Sequence, residues 1–355
     1  MAYDVIVVGA GIIGGSIAWR LAQARVRVLL VDAARMGEEA SSAGAGMLAP
    51  GGEMEEHSAW NDLALESLRL YPAYVAELQD ESGCAIDFQR LGAVEVAYTG
   101  EEWEALQSRA ARQSSLGIPA GALDPRDLRQ HVPLARQDVA GALFYPQDAL
   151  VDPRDVMAAL RAVCRARNVE IREGVRVAAI RVAGQTVRVE SSGETWEAAT
   201  AVLAAGAWSS QIAVDGQVLP EAFPVRGHLI GYSIEPHSLG PLLRHGSTYL
   251  LQRSGGLLIA GTSSERVGFD RTLDPASVQD IRSRVARLAP PLAALEPSEQ
   301  WVGFRPAVEG VSPVLGRMGA SPLWLAYGHY RNGILMAPGT ARRIAAGLIA
   351  SSGTG

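Results

Sequence analysis

The stretch from Tyr3 to Asp32 constrains this chain more than any other. Asp4-Val-Ile-Val-Val8 is an apolar run rich in β-branched residues, and Gly9-Ala-Gly11-Ile-Ile-Gly14 follows at once. A helical pattern then covers Ser16 to Ala24, and a second apolar run, Val26 to Val31, ends in Asp32. A glycine triplet alone is weak evidence. Set between strand and helix, with an acid closing the next strand, it is the fingerprint of a dinucleotide-binding unit. Gly9 makes the tight turn, Gly11 lets a pyrophosphate approach the backbone, and Gly14 lets the helix pack close to the strand. The helix N-terminus offers N–H groups and a positive dipole end to phosphate. Asp32 stands where a carboxylate accepts both ribose hydroxyls.

Composition narrows what such a unit can serve. At 355 residues the length fits two joined domains, and 48% hydrophobic content is ample for a core. A net charge of −6 and the absence of any basic cluster give no signal for nucleic acid. All 32 basic residues are arginine, so chemistry that needs a lysine amine, Schiff-base and pyridoxal-phosphate catalysis, is excluded. Cys84 and Cys164 are too few for a disulfide framework or a zinc cluster, and no metal site is expected. The N-terminal apolar run has no basic flank, and no membrane-spanning stretch is visible, so the cytoplasm is the expected compartment.

The segment Ala33 to Pro50 is dominated by Ser, Gly and Ala, which suits backbone passing close to a large planar ligand. Helical patterns follow at Ala59–Ser82, Glu101–Leu116, Asp124–Gln130, Asp152–Asn168 and Pro275–Leu288, with a last one from Ile334 to about Ala350. Strand patterns lie at Ile86–Tyr98, Ala140–Tyr145, Val169–Arg172, Val175–Val182, Val187–Glu190, Thr195–Glu197, Leu229–Ile234, Tyr249–Gln252, Gly256–Thr262 and Leu323–Tyr327. The run from Ala201 reads as a buried strand entering a small-residue turn that ends at Ser209. The expected fold is α/β: a Rossmann-like nucleotide domain interrupted by insertions that together form a second, antiparallel-sheet domain. The nucleotide domain is expected at 1–84, 148–218 and 300–355, and the inserted domain at 85–147 and 219–299.

Three segments together resemble the FAD-dependent D-amino-acid-oxidase superfamily, and within it the bacterial glycine oxidases of thiamine biosynthesis. They are Gly9 to Gly14, Ser41-Ser-Ala-Gly-Ala-Gly-Met-Leu-Ala-Pro50, and Gly303-Phe-Arg-Pro306 with Gly328-His-Tyr-Arg-Asn-Gly-Ile-Leu-Met-Ala-Pro338. The resemblance spans nearly the whole chain and implies a nucleotide domain of the glutathione-reductase type, with the inserted sheet as the substrate domain. It implies non-covalent FAD held by Gly9, Gly11, Ile12, Ile13, Gly14, Asp32, Ala33, Ala40, Ser41, Ala45, Gly46, Met47, Val177, Gly206, Trp208, His329, Asn332, Gly333, Ile334 and Leu335. Arg305 matches the arginine that pairs with the substrate carboxylate in that family, Tyr249 a tyrosine that also holds it, and Arg331 a second active-site arginine. A planar guanidinium suits a carboxylate bidentately.

The implied reaction is oxidative deamination of glycine, sarcosine or a small D-amino acid by hydride transfer to flavin N5, yielding oxo acid, ammonia and H2O2. A hydride mechanism needs no strong base, so His329 is expected in a backbone or flavin-edge role, without proton transfer. The N-terminus of the last helix, near Gly333, is expected to face the flavin N1/C2=O edge. Asp32 stands where the family usually has glutamate, and Ser247 where it can have histidine. The family's sarcosine-oxidase branch uses a lysine near the flavin, which this chain lacks. Expected partners are the amino acid and O2, in a homo-oligomer, a dimer or tetramer. Two alternatives stay open: a dehydrogenase passing electrons to a carrier, and a flavin-binding protein without turnover.

Overall fold

The computed structural model describes residues 2–310 and 313–352. Its parallel core runs in the order Glu170–Arg172, Val28–Val31, Tyr3–Val8, Thr195–Leu203, Leu323–Tyr327. Every residue of Val28–Val31 is buried, as expected of a strand covered on both faces. The helices Ile12–Gln23, Ala59–Ser82, Pro153–Ala166 and Gly333–Ser352 pack against one another beside this sheet. The first of them begins immediately after Gly11, four residues earlier than the apolar pattern alone suggests.

Thr195–Leu203 is a single nine-residue strand where the sequence pattern reads as two pieces. Its first half alternates buried and exposed residues and pairs antiparallel with Thr186–Ser191. Its last three residues are buried between Tyr3–Val8 and Leu323–Tyr327. The change of neighbours in mid-strand breaks the periodicity.

The second sheet has eight strands in the order Glu299–Val308, Ala222–Ser233, Leu257–Gly261, Thr248–Gln252, Leu242–His245, Ala93–Ala97, Gly141–Tyr145, Gly121–Ala122. All its pairs are antiparallel except Leu242–His245 with Ala93–Ala97. The domain boundary expected at residue 300 falls inside Glu299–Val308, which pairs with Ala222–Ser233 along its whole length, from Ala222↔Val308 to Gly231↔Glu299. Residues 299–308 therefore belong to the second sheet. A small sheet of Met47–Leu48, Ala149–Val151 and Phe88–Gln89 joins segments assigned to the two different domains. Among the described residues no helix is long and apolar enough to cross a membrane.

Candidate active site

The loop between Val8 and Ile12 is shaped by backbone contact. Gly9 has φ +104°, and a Cβ there would lie 2.3 Å from the Ala204 carbonyl oxygen. A Cβ on Gly14 would fall 1.8 Å from the Gly9 carbonyl oxygen, so only glycine lets the helix approach this closely. At Gly11 a Cβ would meet only Ser41 Oγ, at 3.1 Å, and the remaining space opens into the cavity. Ser41 Oγ accepts from the Ile12 N–H at 2.9 Å, tying the small-residue run to the start of the helix.

Asp32 closes this end. Its Oδ2 accepts from the Ala10 N–H at 2.5 Å and its Oδ1 from the Ala34 N–H at 2.8 Å. Burial raises its pKa, and those two N–H groups oppose the rise. Each carboxylate oxygen keeps a lone pair for a further donor such as a ribose hydroxyl.

One cavity of about 640 Å³ runs from this loop to the second sheet. Of the residues singled out for the cofactor, Gly9, Gly11, Ile12, Ile13, Asp32, Ala33, Ala40, Ser41, Ala45, Gly46 and Met47 line it. So do Val177, Gly206, Trp208, His329, Asn332, Gly333 and Ile334. Gly14 and Leu335 do not. Gly14 is behind Gly9, and Leu335 lies about 100° round the helix from Ile334, in the hydrophobic core at 1% exposure.

The cradle fits a dinucleotide. It has a glycine turn open toward the cavity, an acid with spare acceptor capacity, and a long wall of small residues. His329 is 1% exposed, and its Nε2 lies 3.0 Å from Thr340 Oγ1. Burial holds its pKa at about 3, so the ring is neutral at physiological pH and carries no titrating proton there.

At the second sheet the cavity meets Arg305, Tyr249 and Arg331. The half-buried Arg305 projects from Glu299–Val308 across the neighbouring strand at Gly227, where a Cβ would sit 2.4 Å from its Nη1. Its Nη1 donates to the Ser263 carbonyl at 3.1 Å and to the Arg226 carbonyl at 3.5 Å, and its Nη2 donates to Thr262 Oγ1 at 2.7 Å. No described carboxylate pairs with it. Desolvation, with Arg331 nearby, lowers its pKa. A guanidinium has five N–H donors, so Nε–H and one Nη2–H remain for a ligand.

Tyr249 is 6% exposed, and its hydroxyl bonds to no described residue. It comes 2.6 Å from where a Cβ on Gly261 would be. Desolvation raises its pKa, opposed chiefly by Arg305, so the phenol keeps its proton as a donor.

Arg331 differs from Arg305 in having a counter-ion. Its Nη2 lies 2.9 Å from Glu53 Oε1, and Asn332 Nδ2 donates to Glu53 Oε2 at 2.9 Å. Glu53, Thr262 and Arg271 line the cavity as well, and none carries a local sequence signature. Arg271 donates to both oxygens of Glu39, at 2.6 and 2.7 Å, joining the second sheet's long connection to the cofactor side. No described group of three or more His, Cys, Asp or Glu side chains is placed to hold a metal.

A family model described as FAD dependent oxidoreductase matches residues 4–347. Glycine oxidase from Geobacillus kaustophilus is 32% identical over 349 residues, covering 97% of this chain and 92% of that one. The crystal structure of a glycine oxidase from the same organism superposes with a TM-score of 0.93 at 31% identity, covering 98% of this chain and 95% of that one. The bifunctional protein ThiO/ThiG of Trichormus variabilis is 33% identical over 348 residues, which are 97% of this chain and 52% of that protein.

Proposed function

Because this chain belongs to the family of FAD dependent oxidoreductases, we propose that it oxidises the C–N bond of a small amino acid, glycine foremost, to the imine. The imine hydrolyses to oxo acid and ammonia, and dioxygen is reduced to hydrogen peroxide. When bound, FAD supplies the two-electron acceptor and the path of electrons to dioxygen. Everything else falls to the protein's own side chains.

The observation that carries this reading is Arg305. A half-buried guanidinium without a counter-ion is costly, and its cost is offset when a substrate carboxylate occupies the Nε–H and Nη2–H fork. The Tyr249 hydroxyl, which bonds to no described residue, donates a further hydrogen bond to that carboxylate. Together they fix the substrate at one end and leave its Cα–N bond little freedom, a positional gain. Neutral His329 moves no proton. Arg331, already paired with Glu53 and partly exposed, contributes field rather than a direct contact. The names of the relatives support glycine as substrate, and the ThiO/ThiG relative supports a place in thiamine biosynthesis.

The test is aerobic turnover of the purified holoprotein. Hydrogen peroxide forms with glycine, sarcosine or D-alanine and not with methylamine, which lacks the carboxylate. Acid precipitation leaves the flavin in the supernatant. Equal turnover of methylamine, or flavin retained on the pellet, contradicts the reading.

A further inference from the structure

Arg305 is only as useful as its orientation, and the groups that orient it lie in Gly261-Thr262-Ser263, at the end of the strand Leu257–Gly261. Gly261 pairs with Tyr249 on one side and with Leu229 on the other. Its missing side chain leaves the space that the Tyr249 hydroxyl occupies. Thr262 follows and presents its hydroxyl to Arg305 Nη2 at 2.7 Å. Ser263 then offers its carbonyl to Nη1 at 3.1 Å.

The Thr262 hydroxyl has a single hydrogen, directed to the His228 carbonyl at 3.0 Å or to the Ser263 carbonyl at 3.2 Å. Its oxygen is therefore left as an acceptor, the only role an arginine N–H can use. Thr262 is itself held from behind. Arg284 Nη2 donates to its carbonyl at 3.0 Å, and Arg284 Nη1 donates to Thr248 Oγ1 at 2.8 Å on the neighbouring strand. His228, fully buried, receives the Asp274 N–H on Nε2 at 2.9 Å and turns Nδ1 to Ser263 Oγ at 2.8 Å. The tautomer is then Nδ1–H, which anchors Ser263 as well.

We propose that Thr262 is a positioning residue for substrate recognition: its hydroxyl holds the inner side of the Arg305 guanidinium so that the Nε–H and the second Nη2–H meet the carboxylate. The inference rests on the carboxylate role of Arg305 proposed above. Removing the hydroxyl frees the guanidinium to turn toward solvent or toward Glu53. The loss then falls on carboxylate binding, and the redox step of bound substrate is spared.

The experiment uses flavin-loaded protein and glycolate, a two-carbon carboxylate that has no amine. Binding is followed through the change in flavin absorbance, and steady-state KM and kcat on glycine are measured in parallel. The variants are Thr262→Val, which keeps the shape, Thr262→Ala, Thr262→Ser and Arg305→Ala. Thr262→Val and Thr262→Ala raise the glycolate Kd and the glycine KM by about 10-fold or more, the weight of one hydrogen bond to a charged group. With both variants kcat changes far less than KM. Thr262→Ser recovers most of the affinity, because it restores the acceptor. Should Thr262→Val be unstable, Thr262→Ala carries the comparison at the same atom. Arg305→Ala that binds glycolate like wild type overturns the carboxylate site itself. A weakened Arg305→Ala beside unchanged Thr262→Val and Thr262→Ala overturns the positioning role alone. Equal losses in Thr262→Ser and Thr262→Ala, or loss of flavin from them, also overturn it, since the hydroxyl then is not what matters.

Discussion

Replacing Arg305 by alanine lowers kcat/KM for glycine at least ~100-fold while flavin content and thermal unfolding stay close to wild type. The size follows from the donors lost. Arg305 offers a two-pronged fork to a carboxylate, and each hydrogen bond to a charged group contributes ~1.5–3 kcal/mol. The selectivity follows from its neighbours. Among the described residues its contacts are two backbone carbonyls and one hydroxyl, in or just beyond strands of the second sheet, and it pairs with no acid whose charge would be stranded. Arg305→Lys keeps the charge without the fork and falls between the two. Steady-state kinetics on glycine, with the flavin-to-protein ratio and melting curve of each variant, check this. A collapse of flavin binding in Arg305→Ala assigns the residue to structure.

The second large effect separates two glycines of one motif. Gly14→Val forces a side chain into the Gly9 carbonyl, since even a Cβ comes within 1.8 Å of that oxygen. The clash is with backbone, so the helix Ile12–Gln23 must move off the strand Tyr3–Val8. Overpacking of this kind costs about 1–3 kcal/mol or more, and the variant melts several degrees lower and purifies without flavin. Gly11→Ala behaves differently. Its Cβ meets only Ser41 Oγ at 3.1 Å, so the apoprotein melts near wild type. The methyl group instead occupies space in the cavity that the cofactor needs, and the affinity for FAD falls. Calorimetry of the apoproteins with FAD titration distinguishes them. Identical behaviour of the two variants contradicts the division of labour.

What could be read from sequence was what is encoded locally. The strand, glycine turn, helix and acid of the first 32 residues are contiguous, and Ala59–Ser82 spans the residues its apolar spacing marks out. Long-range pairing erased other signals. Leu242–His245 carries no strand signature of its own. It is a strand because it lies between Thr248–Gln252 and Ala93–Ala97, the latter about 150 residues earlier in the chain. Residues 300–308 hide their sheet for the same reason: the strand's partner is Ala222–Ser233, and nothing within the ten residues says so.

The site divides in the same way. Arg305 stands out as an arginine flanked by an aromatic residue and proline. Thr262 is an ordinary strand-end threonine until Arg305 is placed over Gly227. Glu53 reads as one of many acids near a glycine pair until it is seen against Arg331 and Asn332. That pairing alters the reading of Arg331, whose charge is already answered within the protein.

The proposed reaction has a small amino acid, held by its carboxylate, give its electrons to FAD in this cavity. The decisive experiment mixes the holoprotein with glycine in the absence of oxygen. The visible flavin band bleaches with glycine and not with methylamine. Admitting air restores the colour with an equal amount of hydrogen peroxide. A band left unchanged by glycine, sarcosine and D-alanine alike, or bleached as readily by methylamine, contradicts it.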